Sequence, residues 1–182
     1  MAIWVTSLTR APAMAELKKP ERILSLLSPG DVFPIFETHS DDRHIRIAVD
    51  DVMHDNAYAD SDLVTAPSEI HARSVIDFAE TWSGEGCLLI HCWAGISRSS
   101  ASAFITACVR NPRTDEGEIA DAIRRASRVA KPNPLLVRHA DRILNRGGRM
   151  IEAVESMSPW EFAPENTPFV IPSRYPDKGG HV

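Results

Sequence analysis

The chain has only three cysteines in 182 residues, Cys87, Cys92 and Cys108, too few and too unevenly placed for the disulfide framework of a small secreted fold. It also lacks an excess of positive charge. Twenty Lys and Arg against 25 Asp and Glu leave a net charge of −5, which argues against neutralising a phosphate backbone and so against a nucleic-acid partner. No apolar run approaches the ~18 residues needed to cross a bilayer, and no basic start leads into an apolar export segment. A cytoplasmic protein with no membrane partner is expected. There is no internal repeat and no low-complexity block. What is present is the composition of an ordinary folded protein, 43% hydrophobic and 25% charged, at a length that suits one domain with a modest extension.

Short β-branched runs at Ile3 to Val5, Ile23 to Leu27 and Ile45 to Val49 read as strands, and the almost wholly apolar run Leu88 to His91 reads as a strand covered on both faces. Between the last two, Ile70, Val75, Ile76, Phe78, Ala79 and Trp82 recur at helical spacing after Pro67 and Ser68 and before Gly84 and Gly86. Further helices are predicted at Arg98 to Val109, Glu116 to Val129 and Pro134 to about Ala153, the last opened by Asn133 as cap and Pro134 at the first helical position. Strand, helix, strand with a buried final strand predicts an α/β domain, a mostly parallel central sheet flanked by helices, with its ligand site at the carboxyl ends of the strands. The domain is expected over 1–155. From 156 to 182, prolines interrupt Trp160, Phe162, Phe169 and Tyr175, and this tail either wraps extended over the domain or docks on a partner.

The chemistry concentrates between Leu88 and Ser100. A turn that leaves a buried strand and enters a helix N-terminus points successive backbone N–H groups inward, and with the helix dipole these make an anion cradle. Gly95 lets that backbone bend and approach closely, and Arg98 can offer a planar fork to two phosphate oxygens. Cys92 would lie at the bottom of this electropositive bowl, where the donors favour its thiolate. An ionised sulfur beneath a cradled phosphorus is placed for in-line displacement without a metal or any other cofactor.

With His91-Cys92, five residues, then Arg98-Ser99, this strand, turn and helix resemble the cysteine-dependent protein tyrosine phosphatase superfamily, whose signature has that pattern. Ala94-Gly95-Ile96-Ser97-Arg98-Ser99 looks most like its dual-specificity branch, and about Ile23 to Ala153 resembles small bacterial members. The resemblance implies that Cys92 attacks phosphorus, Arg98 binds the phosphoryl oxygens, Ser99 donates to the departing thiolate and His91 orients the loop. Trp93, Ala94, Gly95, Ile96 and Ser97 would contribute mainly backbone N–H groups, and Trp93 would also line the mouth. The family takes its leaving-group proton from an Asp on an upstream loop. Ile47-Ala48-Val49-Asp50-Asp51 matches that strand-then-Asp pattern and assigns Asp51, with Asp50, Asp55, Asp60 and Asp62 as further candidates; Val52 to Ala66 is long for such a connection and is a candidate lid.

Other features have plainer readings. Cys87 would lie roughly 16 Å from Cys92 along an extended strand at ~3.3 Å per residue, and Cys108 is ten residues into the next helix, so both read as buried small hydrophobes. His54-Asp55, near His39, His44 and His71, lacks the spacing of a metal site. Arg138, Arg142, Arg146 and Arg149 read as the solvated face of a helix. Residues 31–85 hold thirteen acids against three bases and residues 113–149 nine bases against five acids, which describes either a solvated face or a basic rim that steers anionic substrate. The expected activity is metal-independent hydrolysis of phosphotyrosine, with phosphoserine and phosphothreonine as further esters, through a phosphocysteine on Cys92, the substrate being a phosphoprotein or small phosphomonoester. The alternatives are a rhodanese-like sulfurtransferase, which also uses a Cys in such a turn, and a phosphate-binding pseudophosphatase.

Overall fold

The computed structural model describes residues 1–54 and 63–176. Its centre is β4 (Leu88–Cys92), all five residues of which are buried. On one side it pairs in parallel with β1 (Ala2–Ser7) and on the other with β2 (Arg22–Leu27), which pairs in parallel with β3 (His44–Ala48). The order is β3-β2-β4-β1, with β5 (Phe169–Pro172) on the outer side of β1. Successive β4 side chains face opposite layers: Leu88, Ile90 and Cys92 join the main core, while Leu89 packs with Ala11, Met14, Ile23 and Phe36. Burial on both faces is why this strand is an apolar run without alternation. Each fully buried Leu or Ile here contributes roughly 1.5–3 kcal/mol.

The helices follow α/β logic. The short α1 (Ala11–Lys18), with Pro12 in its first turn, covers one face. The other carries α2 (Glu69–Glu80), α3 (Arg98–Arg110), α4 (Glu116–Ala126) and α5 (Pro134–Ile143). Every residue of α3 from Arg98 to Cys108 is buried, and its Ser and Ala residues let it sit close against β1, β4, α2 and α5. Ser68 closes a capping box with His71 on α2, and Asn133 caps α5 by accepting the Leu136 N–H.

One sequence expectation needs correction, and one alternative is resolved. The helix predicted from Pro134 to Ala153 is two helices, because Asn145, Gly147 and Gly148 adopt positive φ and α6 (Arg149–Glu155) restarts beyond them. Buried Asp141 caps the restart, accepting the Gly148 and Met150 N–H groups at 2.8 and 3.0 Å. The described part of the tail wraps over the domain, and β5 (Phe169–Pro172) adds antiparallel to β1. An edge position tolerates Pro172.

Candidate active site

The strand-to-helix turn between Cys92 and Arg98 is built by what stands behind it. Gly95 has φ +74°, and a Cβ there would meet the Thr6 carbonyl carbon at 2.8 Å and the Ser7 nitrogen at 2.9 Å. Glycine is therefore required twice, for conformation and for the approach to β1. Every carbonyl from Trp93 to Ser97 faces away from the centre of the turn and accepts a hydrogen bond, two of them from Asn166. The Trp93 oxygen takes the Leu8 N–H at 3.0 Å, that of Ala94 the Asn166 N–H at 2.9 Å, and that of Ile96 the Lys131 N–H at 3.0 Å. The Gly95 oxygen takes Asn166 Nδ2 at 3.0 Å, and the Ser97 oxygen takes the Ala101 and Asn133 N–H groups at 2.9 and 3.3 Å. In a trans peptide the N–H points opposite to its C=O, so outward carbonyls turn the amides of Ala94 to Arg98 inward. Among the described residues, the Ala94, Gly95, Ile96 and Ser97 amides donate to no backbone carbonyl. Nor does a side chain cap α3 at Ser97, so the positive end of the helix faces the same point.

Cys92 lies at that point, 1% exposed, with Sγ 3.1 Å from Ser99 Oγ. Arg98, 5% exposed, is held by Nη1, which donates to the Val49 carbonyl at 2.7 Å and reaches Ser28 Oγ at 3.5 Å. Its Nε, although buried, donates to no atom among the described residues and faces Asp51 Oδ2 at 3.9 Å. Asp51 also accepts from Ser97 Oγ at 2.5 Å and Asn133 Nδ2 at 2.9 Å. Its carboxylate thus stands over the cradle, with the side chain 35% exposed. Asp50 points elsewhere and closes the loop neck, its Oδ2 accepting the Thr65 N–H at 2.8 Å. Asp55, Asp60 and Asp62 lie outside the described residues.

Behind the nucleophile, His91 and His44 share one hydroxyl. Ser25 Oγ is 2.6 Å from His91 Nε2 and 2.8 Å from His44 Nε2. A hydroxyl has one hydrogen, so it donates to one ring and accepts from the other, and the two imidazoles hold different tautomers. Burial lowers the His44 pKa to about 3, helped by Arg46, and that of His91 to about 4. Both rings are neutral at pH 7. The Phe36 ring meets their edges, with centroids at 4.8 Å from His44 and 6.2 Å from His91.

Trp93 stands out from the turn, 59% exposed. Cys108 is buried in the core and Cys87 half-buried with its S–H toward the Lys18 carbonyl; burial pushes both thiols up. The arginine stripe is not a uniform solvated face. Arg146 is buried against Glu116, because the helix break takes it out of register. No cluster of three or more His, Cys, Asp or Glu able to hold a metal occurs among the described residues, and no helix among them is long and apolar enough to cross a membrane.

Sequence reasoning brought Cys92, Arg98, Ser99, His91 and Asp51 together; the structure gathers Cys92, Arg98, Ser99 and Asp51 at the turn and sets the His91 ring behind it, against Ser25 and Phe36. It missed Ser25, His44, Ser28, the Val49 carbonyl and Asn166. Asn133 was visible only as a helix cap. The others sit on different strands or in the tail, where only tertiary pairing unites them.

No protein-family model matches the chain, and no curated protein matches it in sequence. Solved structures do. The crystal structure of DUSP15 superposes with a TM-score of 0.60 at 18% identity, covering 86% of this chain and 92% of that one. The phosphatase domain of Yvh1 from Chaetomium thermophilum gives 0.56 at 18%, covering 81% and 93%. A human tyrosine phosphatase-like serine/threonine/tyrosine-interacting protein gives 0.58 at 14%, covering 80% and 92%.

Proposed function

We propose that this chain, which has the fold of the dual-specificity phosphatases, is a protein phosphatase that hydrolyses phosphotyrosine, and phosphoserine or phosphothreonine where they reach the cradle, through a phosphocysteine on Cys92. The observation that carries the reading is the ring of inward amides around a buried sulfur, closed by an arginine whose buried Nε has no protein acceptor among the described residues. Backbone donors aimed where charge develops need no reorganisation during reaction, and removing even one such donor typically costs ~10²–10³ in rate.

In the first step the Cys92 sulfur attacks phosphorus opposite the ester oxygen. The S–P bond forms as the P–O bond breaks, and Asp51 gives its proton to the leaving oxygen. Arg98 and the turn amides hold the three equatorial oxygens throughout. In the second step water attacks the phosphocysteine, Asp51 takes back a proton, the S–P bond breaks and Ser99 donates to the departing thiolate, 3.1 Å away. His91, Ser25 and His44 stay neutral and orient the strand end that carries the sulfur.

Hydrolysis of an aryl phosphate in the presence of EDTA, inhibited by vanadate, is the expected result; phosphate binding without any turnover would instead favour the pseudophosphatase alternative. Transfer of sulfur from thiosulfate to cyanide would favour the sulfurtransferase. Parallel rates on phosphotyrosyl and phosphoseryl peptides then settle the preferred residue.

A further inference from the structure

We propose that Asn166, in the C-terminal tail, is a positioning residue of the phosphate cradle; this rests on the reading of that turn as the phosphoryl-binding site. Asn166 is 2% exposed and touches the turn twice. Its backbone N–H holds the Ala94 carbonyl at 2.9 Å and its Nδ2 holds the Gly95 carbonyl at 3.0 Å. By peptide geometry those two bonds aim the Gly95 and Ile96 amides into the bowl. Gly95 sits at positive φ and has no side chain of its own to fix it, so the direction of these two peptides depends on what grips their oxygens from behind.

The grip is itself anchored on both sides. Asn166 Oδ1 accepts from Ser127 Oγ at 3.0 Å, and that same Oγ accepts the Ala130 and Val129 N–H groups at 3.1 and 3.3 Å. The carboxamide orientation is therefore determined: oxygen toward Ser127, nitrogen toward Gly95. Next to it, the Glu165 carboxylate accepts from the Ser7 and Thr9 hydroxyls and lies 3.5 Å from Arg10 Nε. The Ser7 and Thr9 hydrogen bonds, with Arg10 beside them, hold the Glu165 carboxyl below its usual pKa. The tail thus stitches the β1–α1 loop to the 127–130 turn, with Asn166 between them against the cradle. Aspartate at 166 could not substitute, because a carboxylate oxygen would then face the Gly95 carbonyl.

The test compares wild type, Asn166→Ala, Asn166→Asp, Ser127→Ala and, as a tail control, Val170→Ala on the outer face of β5. The readouts are kcat and KM on an aryl phosphate and the Ki of inorganic phosphate, measured below each variant's melting temperature. Both Asn166 variants should weaken phosphate and lower kcat by about 10-fold, less than the ~10²–10³ for deleting an oxyanion donor outright, with Asp the more damaging. Ser127→Ala should move both readouts the same way by less, and it decides the question if the Asn166 variants do not fold. Val170→Ala should match wild type. A residue that only stabilised the fold would lower the melting temperature and leave Ki and kcat of the folded protein unchanged; that result, with an active wild type, overturns the inference alone. A wild type that neither hydrolyses the ester nor binds phosphate overturns the functional reading and this inference with it.

Discussion

Two buried arginines stand at opposite ends of α3, and they are used in opposite ways. At its C-terminal end Arg146 is saturated: Nη1 donates to the Pro112 carbonyl and to Glu116, and Nη2 to the Cys108 carbonyl, each at 3.0 Å. At its N-terminal end Arg98 is tied by Nη1 to the Val49 carbonyl, while its buried Nε donates to nothing among the described residues. The cysteines repeat the contrast. Cys108 lies in the core, where burial and Glu116 push its thiol up, whereas Cys92 faces a ring of amides and a guanidinium. Burial is common to both ends; what distinguishes the N-terminal one is donors left pointing at a shared centre, and a buried polar group costs free energy unless something accepts from it.

The sharpest break of this comparison is Cys92→Ser, which should abolish turnover while circular dichroism and melting temperature stay near wild type; retained activity would remove Cys92 from the mechanism. Asp51→Ala should follow, lowering kcat by roughly 10²- to 10⁴-fold on esters with poor leaving groups and much less on good ones. Should Asp50→Ala give that dependence instead, the assignment of the acid moves one residue. Arg98→Lys should lower kcat/KM by about 10²-fold or more, because an ammonium cannot reproduce a planar fork. Arg146→Ala is the matching control: Glu116 keeps Arg149, which donates to both its oxygens at 3.1 and 3.2 Å, but the buried Pro112 and Cys108 carbonyls lose their donor, so the change should cost about 1–3 kcal/mol of stability by urea denaturation, with kcat per folded molecule unchanged.

A pH-dependent stability is also expected. His91 and His44 have pKa values lowered by burial to about 4 and about 3, against ~6.5 in an unfolded chain. Between those values the unfolded state binds more protons, so stability is fully present above about pH 6.5 and is lost as pH falls toward 4 and then 3. Urea midpoints across that range should decline, and less steeply in His44→Asn. A flat profile would mean the shared hydroxyl does not hold two neutral rings.

How much of this is legible in the sequence depends on how far apart in the chain the cooperating groups lie. The strand, turn and helix from Leu88 to Ser100 are contiguous, and the chemistry of Cys92, Arg98 and Ser99 needs only that one local motif. Asp51 is reachable because it ends another strand of the parallel sheet, and such ends gather at one edge. The link from His91 through Ser25 to His44 crosses three strands and leaves no periodic trace, and Asn166 lies in a proline-interrupted stretch with no pattern to mark it. The break between α5 and α6 was signalled by Asn145, Gly147 and Gly148, but the apolar spacing runs on across them. Arg146 is then read as a surface residue when it is a buried staple.

The most direct test is to quench the Asp51→Ala protein with acid during turnover of an aryl phosphate that has a good leaving group, then map its peptides by mass spectrometry. The account predicts one added phosphoryl group on the peptide containing Cys92, chased off when the substrate is exhausted. Turnover with no such adduct, or with the phosphoryl group on another residue, would contradict it.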